Sequence, residues 1–382
     1  MTPFRRIAIV GFSFWLSYDL ARFPVLPLYA QHLGVSAPLI GWIVAASTIT
    51  GIFGKFVSGG LSDIVGRRVM MLLASTIAVT APLFYYFATD PASLIMLRLF
   101  HGFGTAIMGP VTRAAVSDIA PANQRGQQLS TFSAISMSGT MTGRWLGGAI
   151  LFWGGFLMPF FAACVAGLAV LVLLLRWPHD SPKKDVELHM VDRWIAGFRE
   201  VISHRVILVT SVVEAIQFMA TGAIDAFLPI YAKTVAGLNE WQVGSLFGVT
   251  AIATLVTKPL FGTLSDRIGR RPQIIGGFLV GAAVVWVFPH FSSFWVLAGL
   301  ATVYGFGVAV TTSATAAYIT DVCAREHYGA AHGVFGTIFD IGHAAGPITA
   351  GLLVGAFSFV PAFAVFSCLL VLAAVVFTFW SR

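Results

Sequence analysis

The chain has 382 residues, of which 57% are hydrophobic and 10% charged, with a mean hydropathy of +0.85. A soluble domain carries about 25% charged residues, so this composition cannot cover a water-facing surface. The net charge of +7 raises nucleic-acid binding as a possibility, but where the charges fall argues against it.

Apolar stretches of about 20 residues, each long enough to cross the roughly 30 Å hydrocarbon layer as a helix, recur along the chain. Twelve spans are predicted, near residues 6–31, 40–61, 69–87, 92–116, 127–152, 155–176, 206–232, 241–263, 272–289, 294–318, 329–355 and 358–380. The alternating segments of about ten residues that a membrane barrel needs are not seen. Span 1 follows Arg5 and Arg6, as a signal peptide would, but continues through Asp19, Arg22, Pro24 and Pro27 without a small-residue cleavage site. It reads as a retained helix. After span 6 comes a polar segment over 177–205, in which Met190, Trp194, Phe198 and Ile202 share one helical face. That pattern predicts an amphipathic helix on the inner membrane surface, acting as a tether or, alternatively, in regulation. Cys164, Cys323 and Cys368 have neither metal-ligand spacing nor a sensible disulfide pairing, and read as packing residues.

With both termini cytoplasmic, sixteen of the 23 Lys and Arg fall in cytoplasmic segments, six lie inside spans, and Lys233 alone lies in an outer loop. This positive-inside bias sets the orientation and explains the net charge as topology.

An internal repeat is the most informative feature. GKFVSGGLSDIVGRR at 54–68 aligns with TKPLFGTLSDRIGRR at 257–271, a shift of 203 with eight identities in fifteen. The same shift carries HGFG at 101–104 onto YGFG at 304–307, and Asp118 onto Asp321. LPLYA at 26–30 meets LPIYA at 228–232 after a one-residue slip. The expected fold is therefore an all-α membrane protein of twelve transmembrane helices, in two six-helix halves related by a pseudo-two-fold axis along the membrane normal. The halves are 1–176 and 206–382, with 177–205 as the cytoplasmic linker.

These residues also resemble a known family. GGLSDIVGRR at 59–68 and GTLSDRIGRRP at 262–272 are similar to the loop signature of the major facilitator superfamily. RLFHGFGTA at 98–106 resembles its span 4 motif; GTMTGRWLGG at 139–148 and GHAAGPITAG at 342–351 resemble the span 5 motif of its antiporters. The resemblance covers essentially the whole chain and implies a secondary transporter of the twelve-span drug:proton antiporter branch, monomeric and working by alternating access. It implies gating by the loops, through Gly59, Asp63, Gly66, Arg67 and Arg68 and through Gly262, Asp266, Arg267, Gly269, Arg270 and Arg271. Asp63 is placed to pair with Arg67 or Arg68; the first copy has Ile64 where the second has Arg267. Small residues four apart (Gly139, Gly143, Gly147, with Gly148; Gly342, Gly346, with Pro347) permit close helix packing. Arg144 stands where the second copy has Pro347, a departure from the antiporter pattern.

Ionisable residues inside the spans lie in spans 1, 2, 4, 5, 7, 8 and 11, and spans 3, 6, 9 and 12 have none. The resemblance makes those four peripheral and the others cavity-lining. The candidates for proton coupling and substrate binding are Asp19, Arg22, Arg98, His101, Arg144, Glu214, Asp225, Asp340 and His343. Asp19 with Arg98 is the preferred proton site, and Asp340 with His343, three residues apart on one face, comes second. Lys55, Lys258 and Arg113 read as snorkelling side chains, and His332 as a helix-start residue. Phe23, Trp145 and Phe339 lie near the charges and are placed to touch a hydrophobic solute.

Gly54-Lys55 lacks the rest of a phosphate loop, and no metal, cofactor or enzyme motif is present. A proton gradient supplies about 2.3 kcal/mol per charge per 100 mV. The expected activity is proton-coupled efflux, across the inner membrane, of a small organic anion, zwitterion or amphipathic drug-like compound. Six basic against four acidic residues in the cavity keep proton-coupled import of an organic anion as the alternative. A transporter-like receptor or a lipid flippase is the alternative of another class.

Overall fold

The computed structural model describes residues 2–121, 123–177, 199, 203–323 and 328–380, without the side chains of 56, 263, 265, 266 and 328–333. The surface helix expected over 177–205, with Met190, Trp194, Phe198 and Ile202, falls outside the described residues. Among the described residues there are thirteen α-helices and no strand. They are α1 (Pro3–Leu20), α2 (Val25–His32), α3 (Ala37–Val65), α4 (Arg67–Phe84), α5 (Pro91–Ile119), α6 (Arg125–Gly154), α7 (Leu157–Leu175), α8 (Arg205–Thr234), α9 (Glu240–Ile268), α10 (Arg270–Val287), α11 (Phe294–Val322), α12 (Tyr328–Ala356) and α13 (Phe359–Trp380).

Ten of these are long and apolar enough to cross a bilayer. The two other spans are α1 with α2, where Arg5, Arg6 and Asp19 fall within α1, and α6, rich in glycine and hydroxyl residues. Span 1 is not the single helix expected over 6–31. It opens at residues 21–24, where Pro24 has no N–H to donate back into the helix.

The chain forms two compact units. Unit 1 comprises Met1–Val35, Ala46–Leu188 and Asn239–Gly244; unit 2 comprises Ser36–Ala45, His189–Leu238 and Ser245–Arg382. In unit 1, α1 packs on α6 and α7, and α4 on α5 and α7; in unit 2, α8 packs on α12 and α13, and α10 on α11 and α13.

Glycines set how closely the paired helices approach. A β-carbon at Gly143 would stand 2.8 Å from the Leu16 carbonyl oxygen, and one at Gly147 3.1 Å from that of Leu20; Gly139 abuts the Phe12 carbonyl more closely still. Gly342 and Gly346 abut the Ala215 and Met219 carbonyls in the same way. Lipid offers no hydrophobic force between helices, so such backbone contact carries the association.

Phe12 and Leu16 thus answer to Ala215 and Met219 at the shift of 203, whereas LPLYA answers to LPIYA at 202. Unit 1 has one extra residue between these points, and that is where span 1 opens. Helix α8, lacking it, runs unbroken from Arg205 to Thr234.

The loop signatures are also duplicated. Gly66 and Gly269 adopt φ of 102° and 90°, a region that favours glycine, between α3 and α4 and between α9 and α10. Arg67 Nε contacts Asp118 Oδ2 at 3.2 Å, and Arg270 Nε contacts Asp321 Oδ2 at 2.9 Å. Arg68 donates to the Leu175 carbonyl at 2.8 Å, and Arg271 to the Thr378 carbonyl at 2.9 Å. These bonds cap carbonyls at a helix end and fasten neighbouring helices within each unit.

Gly342→Leu is expected to cost about 1–3 kcal/mol, the usual range for overpacking, and to lower the unfolding midpoint of the purified protein in detergent. Gly276→Leu, whose β-carbon would meet nothing within 4 Å, is expected to leave the midpoint unchanged. Equal effects from the two substitutions would remove the packing role assigned to Gly342.

Candidate substrate and proton site

In unit 1 the charged side chains gather around the opening of span 1. The turn at 21–24 carries Arg22 and Phe23, and Asp19 ends the preceding helix. Asp19, with a 2% exposed side chain, accepts from Arg144 Nε at 3.3 Å. The Phe23 ring is fully buried and lies under two guanidiniums, with Arg22 Cζ 4.6 Å and Arg144 Cζ 5.1 Å from its centroid. Cation–π contact favours such placement. Arg22 also reaches the Thr48 hydroxyl at 3.5 Å. Asp19 thus pairs with Arg144, while Arg22 is met by an aromatic face and a hydroxyl.

The Asp19–Arg98 contact expected from the sequence is replaced by this Asp19–Arg144 pair. Arg98, 0% exposed, donates instead to the Tyr18 hydroxyl at 3.2 Å and to the Ser47 hydroxyl. Spacing along a helix shows which residues share a face, but it does not show which residue on a neighbouring helix meets them at the same depth. The glycine contacts between α6 and α1 bring Arg144 to Asp19. His101 sits edge-on to Tyr18, ring centroids 4.9 Å apart. Tyr18, Ser47 and Tyr85 had no sequence signal, being ordinary polar or aromatic residues within apolar runs.

A cavity of about 320 Å³ opens elsewhere in unit 1, lined by Trp15, Thr112, Arg113, Phe132, Ser136 and Thr140 among others. Aromatic faces, hydroxyls and a guanidinium share its wall. Arg113 thus lines a cavity, where the sequence suggested only a snorkelling side chain.

In unit 2 Glu214 and Asp225 have different partners. Glu214, 2% exposed, accepts from the Thr315 hydroxyl at 2.9 Å and feels the charge of Lys258. Neither Thr315 nor Lys258 was singled out as its partner by sequence spacing. Asp225 Oδ2 lies 3.7 Å from His343 Nε2, too far for a hydrogen bond but within reach of an ion pair if the ring is protonated. Asp340, three residues before His343 on the same helix, is also buried. Phe339 stacks on Phe218 at 4.5 Å, beside His343. The His332 side chain lies outside the described residues.

The loop-signature residues occupy the helix junctions. Asp63 Oδ1 accepts from Arg67 Nη2 at 2.5 Å, so Arg67 is shared between Asp63 and Asp118. Arg68 takes no part in that pair. Gly59 and Gly262 lie in the last turns of α3 and α9, and Arg267 is exposed. The Asp266 side chain lies outside the described residues. A β-carbon at Gly148 would meet Gly244 Cα at 2.5 Å, and one at Gly222 would meet Pro347 Cδ at 3.0 Å. Trp145 packs beside Trp241 with ring centroids 5.5 Å apart. Groups of three or more residues able to hold a metal ion are absent among the described residues.

Comparison with known proteins agrees with this architecture. The family profile of the Major Facilitator Superfamily matches residues 7–257 and 237–382. Multidrug resistance protein MdtG of Serratia proteamaculans is 28% identical over 378 residues, covering 94% of this chain and 88% of its own. An uncharacterised MFS-type transporter of Methanocaldococcus jannaschii is 25% identical over 332 residues, covering 86% of each. Among solved structures, a mutant of the nucleoside transporter NupG superposes over 100% of both chains with a TM-score of 0.85 at 12% identity. The human organic anion transporter MFSD10 superposes over 98% of this chain and 99% of its own, with a TM-score of 0.64 at 18% identity. Those two likenesses establish the fold. Profile and fold together cover both units, and the chain belongs to the Major Facilitator Superfamily: it is a multi-pass membrane transporter of twelve transmembrane helices.

Proposed function

We propose that the chain is a proton-coupled antiporter, working by alternating access as a monomer in the inner membrane with both termini cytoplasmic, that exports small amphipathic organic solutes. The observation that carries this reading is Glu214, a buried carboxylate whose hydrogen-bond partner is the neutral Thr315 hydroxyl. A buried carboxylate so placed can be neutralised by a proton or by a cationic group, but not by both at once. When ionised it attracts a cationic or hydrogen-bond-donating solute, and when protonated it releases that solute. Mutual exclusion of this kind is what exchange requires. The MdtG relatives are named for multidrug resistance, which supports the outward direction. The Arg67 contacts with Asp63 and Asp118 are read as a brace that keeps unit 1 rigid while the transporter changes state.

The test is flux into proteoliposomes with an acid interior, where antiport accumulates the solute as protons leave. Ethidium is expected to accumulate beyond protein-free vesicles, and Glu214→Gln to reduce that accumulation at least about tenfold, the rate change for 1.4 kcal/mol. Flux indifferent to the gradient, or unchanged in Glu214→Gln, would refute the assignment.

A second reading is proton-coupled import of an organic anion, and the Asp19–Arg144 pair favours it. An anion that binds Arg144 displaces Asp19, which is left as an uncompensated buried carboxylate and takes a proton. Proton and anion then bind together and travel together, which is symport. Asp19→Asn is expected to tighten binding of naphthalene-2-sulfonate to the purified protein by about three- to tenfold, and Arg144→Gln to abolish it, by analogy with releasing or removing one charge-assisted bond. If sulfonate instead accumulates in vesicles only when the exterior is acid, import becomes the favoured direction. Equal sulfonate binding by parent and Asp19→Asn would show that the pair does not govern anion access.

A further inference from the structure

We propose that unit 1 contains a closed binding site for a monatomic anion of the chloride class, formed by Arg98, Tyr85 and His101 and backed by Tyr18 and Ser47. The proposal rests on side chains within one unit and is independent of the direction or cargo of transport.

Arg98 is the largest fully buried side chain described, with 0% exposure. A guanidinium cannot discharge itself by losing a proton, so its charge has to be answered where it sits. Its hydrogen bonds go to the neutral hydroxyls of Tyr18 and Ser47, and it also interacts with the hydroxyl of Tyr85. Its Nε and Nη1 have no hydrogen-bond partner among the described residues. The single carboxylate within the spans of this unit is Asp19, and Asp19 contacts Arg144. A buried charge left without a counter-charge costs several kcal/mol.

The neighbours of Arg98 are in the same condition. Both ring nitrogens of His101 have no hydrogen-bond partner among the described residues, and the Tyr85 hydroxyl has none apart from its interaction with Arg98. Tyr85 is 0% and His101 1% exposed. The four side chains are adjacent: the rings of Tyr18 and His101 are 4.9 Å apart, those of Tyr85 and His101 6.2 Å, and Arg98 Cζ lies 5.5 Å from the Tyr18 ring centroid. Both Arg98 and Arg22 exert their charge on Tyr85 and on His101.

The character of these orphaned groups decides what they would bind. Arg98 Nε and Nη1, the Tyr85 hydroxyl and one nitrogen of a neutral His101 are all donors. A water molecule placed among them accepts two bonds but must itself donate two, and the other His101 nitrogen is the clearest acceptor on offer. An anion accepts from every donor and neutralises the guanidinium as well. Tyr18, Ser47, Tyr85, Arg98 and His101 are all at most 3% exposed, so the cluster is closed to solvent and selects the smallest anions over organic ones.

Unit 2 offers an internal comparison. At the shift of 203, Ala301 stands in the place of Arg98 and Tyr304 in that of His101. The Tyr304 hydroxyl pairs with the Thr221 hydroxyl at 2.9 Å. With no cation to answer, the second copy satisfies that hydroxyl with another and calls for no ion.

The test uses the purified full chain in detergent, exchanged into sodium gluconate and titrated with sodium chloride at constant ionic strength. The readouts are the unfolding midpoint and retention of radioactive chloride on rapid gel filtration. A saturable rise in midpoint, reproduced by bromide, and retained chloride are expected, since a ligand that binds only the folded state stabilises it by mass action. Tyr85→Phe and His101→Phe, each removing donors while keeping a ring, are expected to weaken apparent chloride affinity about tenfold, the effect of losing one bond to a charged group. Arg98→Leu should abolish the chloride response; if that variant does not fold, the two conservative variants still decide the matter. An unchanging midpoint with no retained chloride would mean that water alone serves the cluster and would overturn the proposal. Affinity equal to the parent's in both Tyr85→Phe and His101→Phe would place the ion elsewhere and overturn it equally.

Discussion

A guanidinium held at membrane depth is costly, and much of unit 1 follows from how that cost is met. Asp19 neutralises Arg144 directly. Arg22 lies over an aromatic face and reaches a hydroxyl. Arg98 is met with hydroxyls alone. Each solution draws on a different helix, so the charges hold α1, α3, α5 and α6 in one arrangement. Breaking one partnership leaves a buried ion exposed to hydrocarbon, which is far costlier than losing a surface pair. Polar contacts inside the membrane are therefore few but decisive.

The duplicated chain separates scaffold from chemistry. Contacts that fasten one helix to the next appear in both copies at the same shift. Arg67 with Asp118 matches Arg270 with Asp321, and the glycine contacts of α6 on α1 match those of α12 on α8. Of the residues that carry charge into the spans, Lys55 alone is repeated, as Lys258. Arg98 faces Ala301 across the repeat, and Arg144 faces Pro347. The extra residue in span 1, which opens the helix at Arg22 and Phe23, also has no counterpart. Packing tolerates little variation because neighbouring backbones are almost in contact, whereas a side chain facing a polar interior can change without moving a helix.

The spans, the repeat and the superfamily were legible in the sequence because each rests on a pattern extending over tens of residues. Span boundaries came within a few residues, save in span 1, where Pro24 and the one-residue slip were both visible but were not joined into a broken helix. The Asp63–Arg67 contact was accessible because the two residues lie four apart on either side of a glycine turn. Partner choice between helices was not accessible. Asp19 was assigned to Arg98 and found with Arg144, and the approach of Asp225 to His343 was not foreseen. Residue spacing carries the face of a helix but not the relative depth of two helices, and depth is set here by which glycine meets which carbonyl. Tyr18, Ser47, Tyr85 and Thr315 were illegible for a simpler reason: a hydroxyl inside an apolar run looks the same whether it serves a charge or the backbone.

The count of intramembrane charges acquires meaning when taken half by half. The first six spans carry five Lys or Arg against Asp19 alone, and the last six carry Lys258 against Glu214, Asp225 and Asp340. Averaged over the chain this looks like a mild basic excess, which is why it favoured an anionic cargo. Divided, it describes two opposite demands on one scaffold. The first half has cations to answer and draws in anions; the second has carboxylates to answer and draws in protons or cationic groups. The two halves thus carry opposite excesses of charge within their spans. Ions and charged solutes are the mobile partners open to such charges, so the sign of the charge in each half bears on what a transporter of this kind can recruit.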